Sequence, residues 1–351
     1  MHITHINLAK GFRGGERQTA LLIAGLAQRQ VKQQLIARHD SPLLKIVDRI
    51  PDLTIYPVKK PHIWQLKRRL DTDILHAHEA KAAQWCCLYH LLYPKPYIIT
   101  RRVPHKPKRN FFTRRVYHQA AALIALSTAI KNILHAYNDQ LKIHIIPSIY
   151  QEVNRDNKRL EKIRQYYRQN YGKGRTIIGH VGALVDHHKG QSLIIEAARI
   201  LEHNYPDLLF MLVGDGPDKN TLIQLAAGLS NVCFTGYQSQ VADYFALFDY
   251  FVFPSFHEGL GSSLLDAVFH KLPVIATRVD GIVDIIQDQK TGLLIEPGRP
   301  DQLAEAIVSI MDSNLSNRLV ELASSGLARY SADRVSGQYM DVYKRVLESH
   351  I

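Results

Sequence analysis

Short apolar runs alternate with amphipathic stretches along the whole 351-residue chain. In residues 1–150 the runs are HITHINL, QQLIAR, LTIYPV, DILHAH, YIITRR, ALIALS and IHIIP. Helix-like segments lie between several of them, for example ERQTALLIAGLAQR, with apolar residues at Ala20, Leu21, Ala24 and Leu26. Runs of this length read as strands, and strands alternating with helices predict an α/β domain built on a parallel, doubly wound sheet. Residues 151–174, QEVNRDNKRLEKIRQYYRQNYGKG, break the pattern. Their middle has an amphipathic helical pattern, and Gly172 and Gly174 mark a connection. The alternation then restarts with TIIGHVGAL, LLFMLVGDG, VCFTGY, DYFVFPS, PVIATR and GLLIEP, which predicts a second α/β domain over 175–332. From Asp301 onward the pattern reads as successive helices.

Two open α/β domains suggest a cleft between them, with ligands at the carboxyl ends of the strands. Composition narrows the class. Apolar content of 46% and charged content of 22% describe a globular chain. No apolar run approaches the roughly 18 residues of a membrane span. The start, MHITHINLAKGF, lacks the basic and apolar regions of a secretory leader, so none is expected. Three cysteines with no CxxC pair form no disulfide framework, and a reduced cytoplasmic setting is expected.

The net charge of +12 is unevenly placed. Residues 1–150 hold 24 Lys and Arg against 8 Asp and Glu, and the rest hold 20 against 24. The excess concentrates in KKPHIWQLKRRL and TRRVPHKPKRNFFTRRVYH, where Trp64, Phe111 and Phe112 interleave with basic residues. Such a pattern suits an anionic membrane surface, a polyanionic substrate or nucleic acid; a plain solvated basic face is the alternative.

Several motifs stand at expected carboxyl ends of strands. LVGDGP places Gly214 and Gly216 around Asp215, where glycine admits close backbone approach to a phosphate, although such turns are also common without a ligand. No GxGxxG follows the first strand and no GxxxxGK[ST] occurs, against a dinucleotide fold or a P-loop. In GHVGALVDHHKGQSLIIEA, Lys189 is read at a helix N-terminus, the wrong sign for the helix dipole. An anion bound by the lysine and the helix start together explains that placement better than a solvated loop does. KGFRGGERQ puts Gly14, Gly15 and Glu16 after the first strand, as a capping turn or as a backbone surface facing the cleft. Asp71 and Asp73 form a DxD, but at the amino end of their strand, so no metal is expected there. His76 and His78 share one face of that strand; the pair offers no evident third ligand for zinc. His78, at the carboxyl end, is the candidate polar or acid–base group.

FHEGLGSSLLDAVFH carries Glu258 in a Gly- and Ser-rich turn and Asp266 in the following helix. Two acids so placed hold different parts of one extended ligand more readily than they flank one glycosidic bond. The amides of Leu260, Gly261, Ser262 and Ser263 form a helix N-terminus suited to phosphate.

In this order and spacing, GGER, DILHAH, ALSTAI, HIIP, Lys189 with Gly190, LVGDGP, FTGY, EGLGSSLLDA, LPVIATRVDGIVDII and TGLLIEPGRPDQLAEAI resemble the retaining GT-B glycosyltransferases of family four. The resemblance implies two facing Rossmann-like domains around a deep cleft, an acceptor-binding domain over 1–150 and a donor-binding domain over 175–332. It also implies a last helix, 333–351, that crosses back onto the first domain. Glu258 would hold hydroxyls of the donor sugar, and the amides of Leu260, Gly261 and Ser262 would line sugar and diphosphate. Asp266 would hold the ribose where the family usually has Glu. Lys189 would neutralise the leaving diphosphate, Gly214 would border the donor, Tyr237 would meet the base, and Gly14 and Gly15 would close the site. Ala183 stands where the family often has Arg. Arg101 and Arg102 stand near a position where many members have His, which leaves His78 as the nearest histidine and makes the two arginines, with Glu16, candidates for acceptor binding.

The resemblance implies sugar transfer with retention from a UDP- or GDP-sugar, with no cofactor and no metal. The basic first half adds an anionic glycan or glycolipid acceptor of lipopolysaccharide type. The expected location is cytoplasmic, peripheral to the inner face of the cytoplasmic membrane, without a nucleic-acid partner. The rivals are a nucleotide-sugar epimerase on the same fold, a basic nucleic-acid-binding protein and a glycosyltransferase-like scaffold without activity.

Overall fold

The computed structural model describes residues 1–150, 152 and 156–349. The chain forms two compact units, Met1–Ile149 with Arg329–Ile351, and Tyr150–Ala328.

In the first unit the elements run β1 (His2–Asn7), α1 (Gly14–Ala27), β2 (Lys32–Arg38), α2 (Leu43–Val47), β3 (Leu53–Val58), a 3₁₀ turn (His62–Lys67), β4 (Ile74–Ala77), α3 (Ala80–Leu92), β5 (Tyr97–Arg101), α4 (Phe111–His118), β6 (Ala122–Ala125), α5 (Thr128–Tyr137) and β7 (Ile143–Ile145). Among the described residues the sheet has seven strands in the order β3-β2-β1-β4-β5-β6-β7. All of its pairings are parallel.

The second unit runs α6 (Asn157–Tyr171), β8 (Thr176–Val181), α7 (Asp186–Lys189), α8 (Gln191–Leu201), β9 (Leu208–Val213), α9 (Lys219–Leu225), β10 (Val232–Gly236), α10 (Val241–Phe245), β11 (Tyr250–Phe253), α11 (Ser262–Phe269), β12 (Val274–Thr277), β13 (Leu293–Ile295), α12 (Pro300–Ile310) and α13 (Ser313–Ser325). Its six strands, again among the described residues, order as β10-β9-β8-β11-β12-β13. The chain then returns to the first unit as α14 (Ala332–Glu348), which packs on α1.

Each apolar run singled out in the sequence forms a strand. Parallel sheets covered by helices on both faces need strands that are apolar throughout, which is why β9, LLFMLV, is buried along its whole length. Edge strands relax this rule: β3 and β7 alternate or stay half-exposed. The charge-rich 151–174 segment holds α6, started by the Asp156 side chain, which accepts from the backbone N–H groups of Lys158 (2.9 Å) and Arg159 (3.2 Å). The core of the first unit joins Ile3, Leu22, Ile74 and Ile98 to Val335, Tyr339, Val342 and Tyr343 of α14. In the second, Ile194, Phe210, Val252, Ile275 and Ile307 form the centre. Each such side chain contributes about 1.5–3 kcal/mol on burial.

β1 departs from the apolar pattern: His5 and Asn7 are buried in the middle of a sheet. Buried polar groups of this kind require partners, and those partners define part of the site.

Candidate active site

In both sheets the strand order reverses at one pair of neighbours: β8 and β11 in the second unit, β1 and β4 in the first. Beyond the carboxyl ends of such strands an open α/β sheet offers its ligand crevice.

In the second unit, Lys189 and Glu258 lie on the loops after β8 and β11. The loops are bonded together, with Phe256 N–H donating to the His188 carbonyl at 2.9 Å. Gly190 is left-handed, at φ +66°, and a Cβ there would lie 2.2 Å from the Pro254 carbonyl oxygen. Only glycine permits that approach. Lys189 does not open a helix, as its sequence context suggested. It closes the one-turn α7, where a cation has the favourable sign for the helix dipole. The start of α8 is served by the chain's own carboxylate, Ser192 N–H donating to Asp186 Oδ1 at 2.7 Å. The lysine is distinguished by what it faces. Its ammonium donates to Glu258 Oε2 and lies 5.0 Å from the centroid of the Phe253 ring.

Glu258 is held on both sides. Its backbone N–H donates to Asp280 Oδ2 at 3.0 Å, and Glu258 Oε1 accepts from Gly259 N–H at 3.2 Å. Asp280 itself has φ +42°, a sparsely populated conformation for a residue other than glycine. Sequence reading missed Asp280; the VDG that follows β12 was the available signal. Leu260 is buried, Gly261 precedes α11, and Ser262 and Ser263 begin it, with no side chain bonded to the helix start. Asp266 lies in the fifth position of that helix and is buried. Tyr237 follows β10 and is 69% exposed, leaving its ring face open.

Gly214 has a packing reason to be glycine. A Cβ there would lie 1.9 Å from the Gly182 carbonyl oxygen. The close approach is to the protein's own backbone, which packs the ends of β8 and β9 together. His180 is buried beneath this loop, with Nδ1–H donating to the Val252 carbonyl at 3.0 Å; burial pulls its ring down to about 4.

In the first unit, His78 directly follows β4, its backbone N–H donating to the Ile6 carbonyl at 3.1 Å. It is buried, unlike a solvent-facing acid–base group, and burial first, then its neighbours His76, His5 and Arg102, hold its ring well below the usual histidine range. The missing third histidine is present: the β1–β4 register sets His5 against His76, and the ligand nitrogens of His5, His76 and His78 all lie within 4.8 Å of one another. Those nitrogens are already hydrogen-bonded. His5 Nδ1 meets His78 Nε2 at 3.0 Å and His5 Nε2 meets Gln33 Oε1 at 3.0 Å. His76 meets the Tyr343 hydroxyl at 2.8 Å and the Thr100 hydroxyl at 2.7 Å, and Arg102 Nη2 donates to His78 Nδ1 at 3.2 Å. A guanidinium at that distance repels a metal cation, so the cluster fits a polar network better than a zinc site. His5 was missed because sequence shows periodicity within a strand but not which strands are neighbours.

Gly14 opens α1, and the Arg102 side chain passes Gly15. Glu16, expected to meet an acceptor, is buried and accepts from Arg13 N–H at 2.8 Å at the helix start. The Arg101 guanidinium is turned onto the Tyr117 hydroxyl, at 2.6 Å, and the His105 carbonyl.

Two family models match the chain in succession: "Glycosyltransferase Family 4" over residues 12–149 and "Glycosyl transferases group 1" over 175–313. Among curated relatives, the chain is 28% identical over 68% of its length to alpha-D-kanosaminyltransferase of Streptomyces kanamyceticus, and it covers 64% of that protein. It is 25% identical over 90% of its length to an Escherichia coli UDP-Gal:alpha-D-GlcNAc-diphosphoundecaprenol alpha-1,3-galactosyltransferase, covering 89% of it. Among solved structures, HepE of Anabaena in complex with UDP-glucose superposes with a TM-score of 0.84 at 18% identity, over 98% of this chain and all of that one. The two parallel sheets, their matched halves and their structural neighbours together place the chain among the GT-B glycosyltransferases of family four.

Proposed function

We propose that the protein transfers a sugar, with retention, from a nucleoside-diphosphate sugar to an anionic envelope glycan or lipid-linked acceptor. The observation that carries this reading is the Lys189–Glu258 pair at the switch point of the second unit. An ammonium and a carboxylate joined there match the two ends of a donor's reacting bond. Donor binding exchanges the pair for two new contacts: Glu258 takes hydroxyls of the sugar, and Lys189 turns to the diphosphate. Asp266 takes the ribose, Tyr237 the base, and the amides at the start of α11 the phosphate oxygens.

In the reaction the bond between the anomeric carbon and the diphosphate oxygen breaks. Negative charge develops on the departing diphosphate, where Lys189 and the α11 amides stabilise it. The acceptor hydroxyl forms the new bond on the same face, and its proton passes to a diphosphate oxygen. These fixed positive groups serve the leaving group without a metal. HepE, of similar fold, was solved with UDP-glucose, which favours a UDP-sugar as donor.

The acceptor is assigned to the first unit, where the charge excess lies. Ile63 and Trp64 of the 3₁₀ turn are 54% and 71% exposed, and Phe111 and Phe112 of α4 are 80% and 37% exposed. Both elements pack against α3, among basic residues, as a surface for anionic lipid requires. Among the described residues no helix is long and apolar enough to cross a membrane. The proposed location is the inner face of the cytoplasmic membrane.

The test is a panel of UDP-, GDP- and ADP-sugars in thermal unfolding, followed by anomer analysis of the product. Selective stabilisation by one nucleotide sugar is expected. No shift with any of them, or an inverted product, overturns the reading.

A further inference from the structure

We infer that Gln33, His5 and His78 form a positioning row that aims the Arg102 guanidinium as a phosphate seat at the switch point of the first unit. The row crosses adjacent strands β2, β1 and β4 and ends just beyond β5.

Donor direction is fixed from one end. A guanidinium only donates, so His78 Nδ1 accepts from Arg102 Nη2 (3.2 Å) and the ring's proton is on Nε2. His78 Nε2–H then donates to His5 Nδ1 at 3.0 Å. His5 in turn carries its proton on Nε2 and donates to Gln33 Oε1, also at 3.0 Å. Gln33 finishes the row by donating from Nε2 to the Ile23 carbonyl of α1 at 2.9 Å. Every member has one role, so neither ring can rotate or change tautomer without breaking the row. Burial supports this by holding both rings neutral, His5 down to about 4.

What the row holds in place is a charge without an ion pair, attracted only at longer range by Tyr339 and Glu16. Among the described residues Arg102 has no carboxylate within ion-pair distance, and its buried Nε–H has no hydrogen-bond partner. Burial disfavours its charged form. A half-buried cation whose buried Nε–H is unused is completed by an anion that takes that donor. Arg101 next door also has a buried Nε–H without a partner, but its two terminal nitrogens are used by Tyr117 and the His105 carbonyl. Planar guanidinium donors match phosphate oxygens. Which molecule brings the phosphate rests on the glycosyltransferase reading; the seat does not.

The test uses the full chain with nitrogen-labelled arginine and histidine and no sugar donor. Both His5 and His78 are expected to show a protonated Nε2 and a bare Nδ1. Inorganic phosphate is expected to shift the Arg102 Nε–H signal, which Arg102→Lys identifies by its loss. His78→Leu should weaken phosphate binding about tenfold. His78→Gln, whose amide offers an acceptor towards Arg102 and a donor towards His5, should restore most of it. Should His78→Leu fail to fold, Gln33→Met breaks the far end of the row and should release the His5 tautomer and weaken phosphate as well. Glycerol phosphate moving the signal more than UDP does assigns the seat to an acceptor, and the reverse assigns it to the donor. A proton on Nδ1 of either ring, an unmoved Arg102 signal, or Leu and Gln variants of equal affinity overturn the proposal. Inactivity towards every sugar donor, with the phosphate shift intact, removes the glycosyltransferase reading alone.

Discussion

The ammonium of Lys189 is bonded to the carboxylate of Glu258, 69 residues away in sequence, where neighbouring strands β8 and β11 end. Each charge is the other's partner. Replacing one member should therefore cost more than replacing both. Lys189→Ala leaves a carboxylate that is 16% exposed without its cation, a loss of about 1–3 kcal/mol. Lys189→Met with Glu258→Gln should recover most of that in urea unfolding. Turnover behaves differently: it should fall about 10²–10³-fold in the lysine variant and stay low in the double variant, measured as initial rates. Stability and turnover falling and recovering together would contradict separate roles.

Gly190→Ala should damage the site through the backbone alone. The new methyl group would stand 2.2 Å from the Pro254 carbonyl oxygen, at a φ of +66° that alanine adopts poorly. A loss of at least about 2 kcal/mol in unfolding is expected, with the loop after β8 pushed off the loop after β11. A variant as stable as the wild type would show that this approach is not required.

Much of the fold was legible because the apolar runs are long enough to fill both faces of a parallel sheet, and every run became a strand. The candidate residues Lys189 and Glu258 were legible from their loops. Their bond to each other was not, because it depends on β8 and β11 being neighbours, which only the strand order supplies. His5 was hidden for the same reason, as the partner of a strand whose paired residue, His76, comes 71 positions later in chain order. Lys189 was read at a helix start because one glycine, Gly190, divides what looked like a single entry into two helices. The close approach of Gly214 to Gly182 was not legible, since a sequence does not show which backbone a glycine admits.

Acid should unfold the protein through its buried histidines. His5 and His180 are held down to about 4 by burial, against 6.5 when exposed, so between those values the unfolded chain binds more protons. Stability is then fully present above pH 6.5 and is lost as pH falls towards 4, by up to about 3 kcal/mol for each ring. Urea midpoints at pH 7.5, 6 and 5 should fall in that order. His5→Gln should flatten part of the slope, and an unchanged slope would deny His5 its share.

Membrane attachment should depend on the exposed aromatic residues together with the charge. Trp64→Ser with Phe111→Ser removes side chains that are 71% and 80% exposed, so the fold should be unaffected. Sedimentation with vesicles containing anionic lipid should drop several-fold, and the residual binding of wild type should weaken with salt. Equal sedimentation of variant and wild type would point to charge alone.

Helix α14 gives the first unit an order of assembly. Val335, Tyr339, Val342 and Tyr343 complete the core around Ile3, Leu22 and Ile98, and the Tyr343 hydroxyl is the partner of His76. On the ribosome those side chains emerge only after all of the second unit has been made. The half of the protein synthesised first is therefore the half that matures last, its apolar face and its histidine row waiting uncovered while the other unit already has every residue it needs. Of the two, the first unit is the one whose nascent form calls for protection by a chaperone, and the second is the one able to fold as it is made.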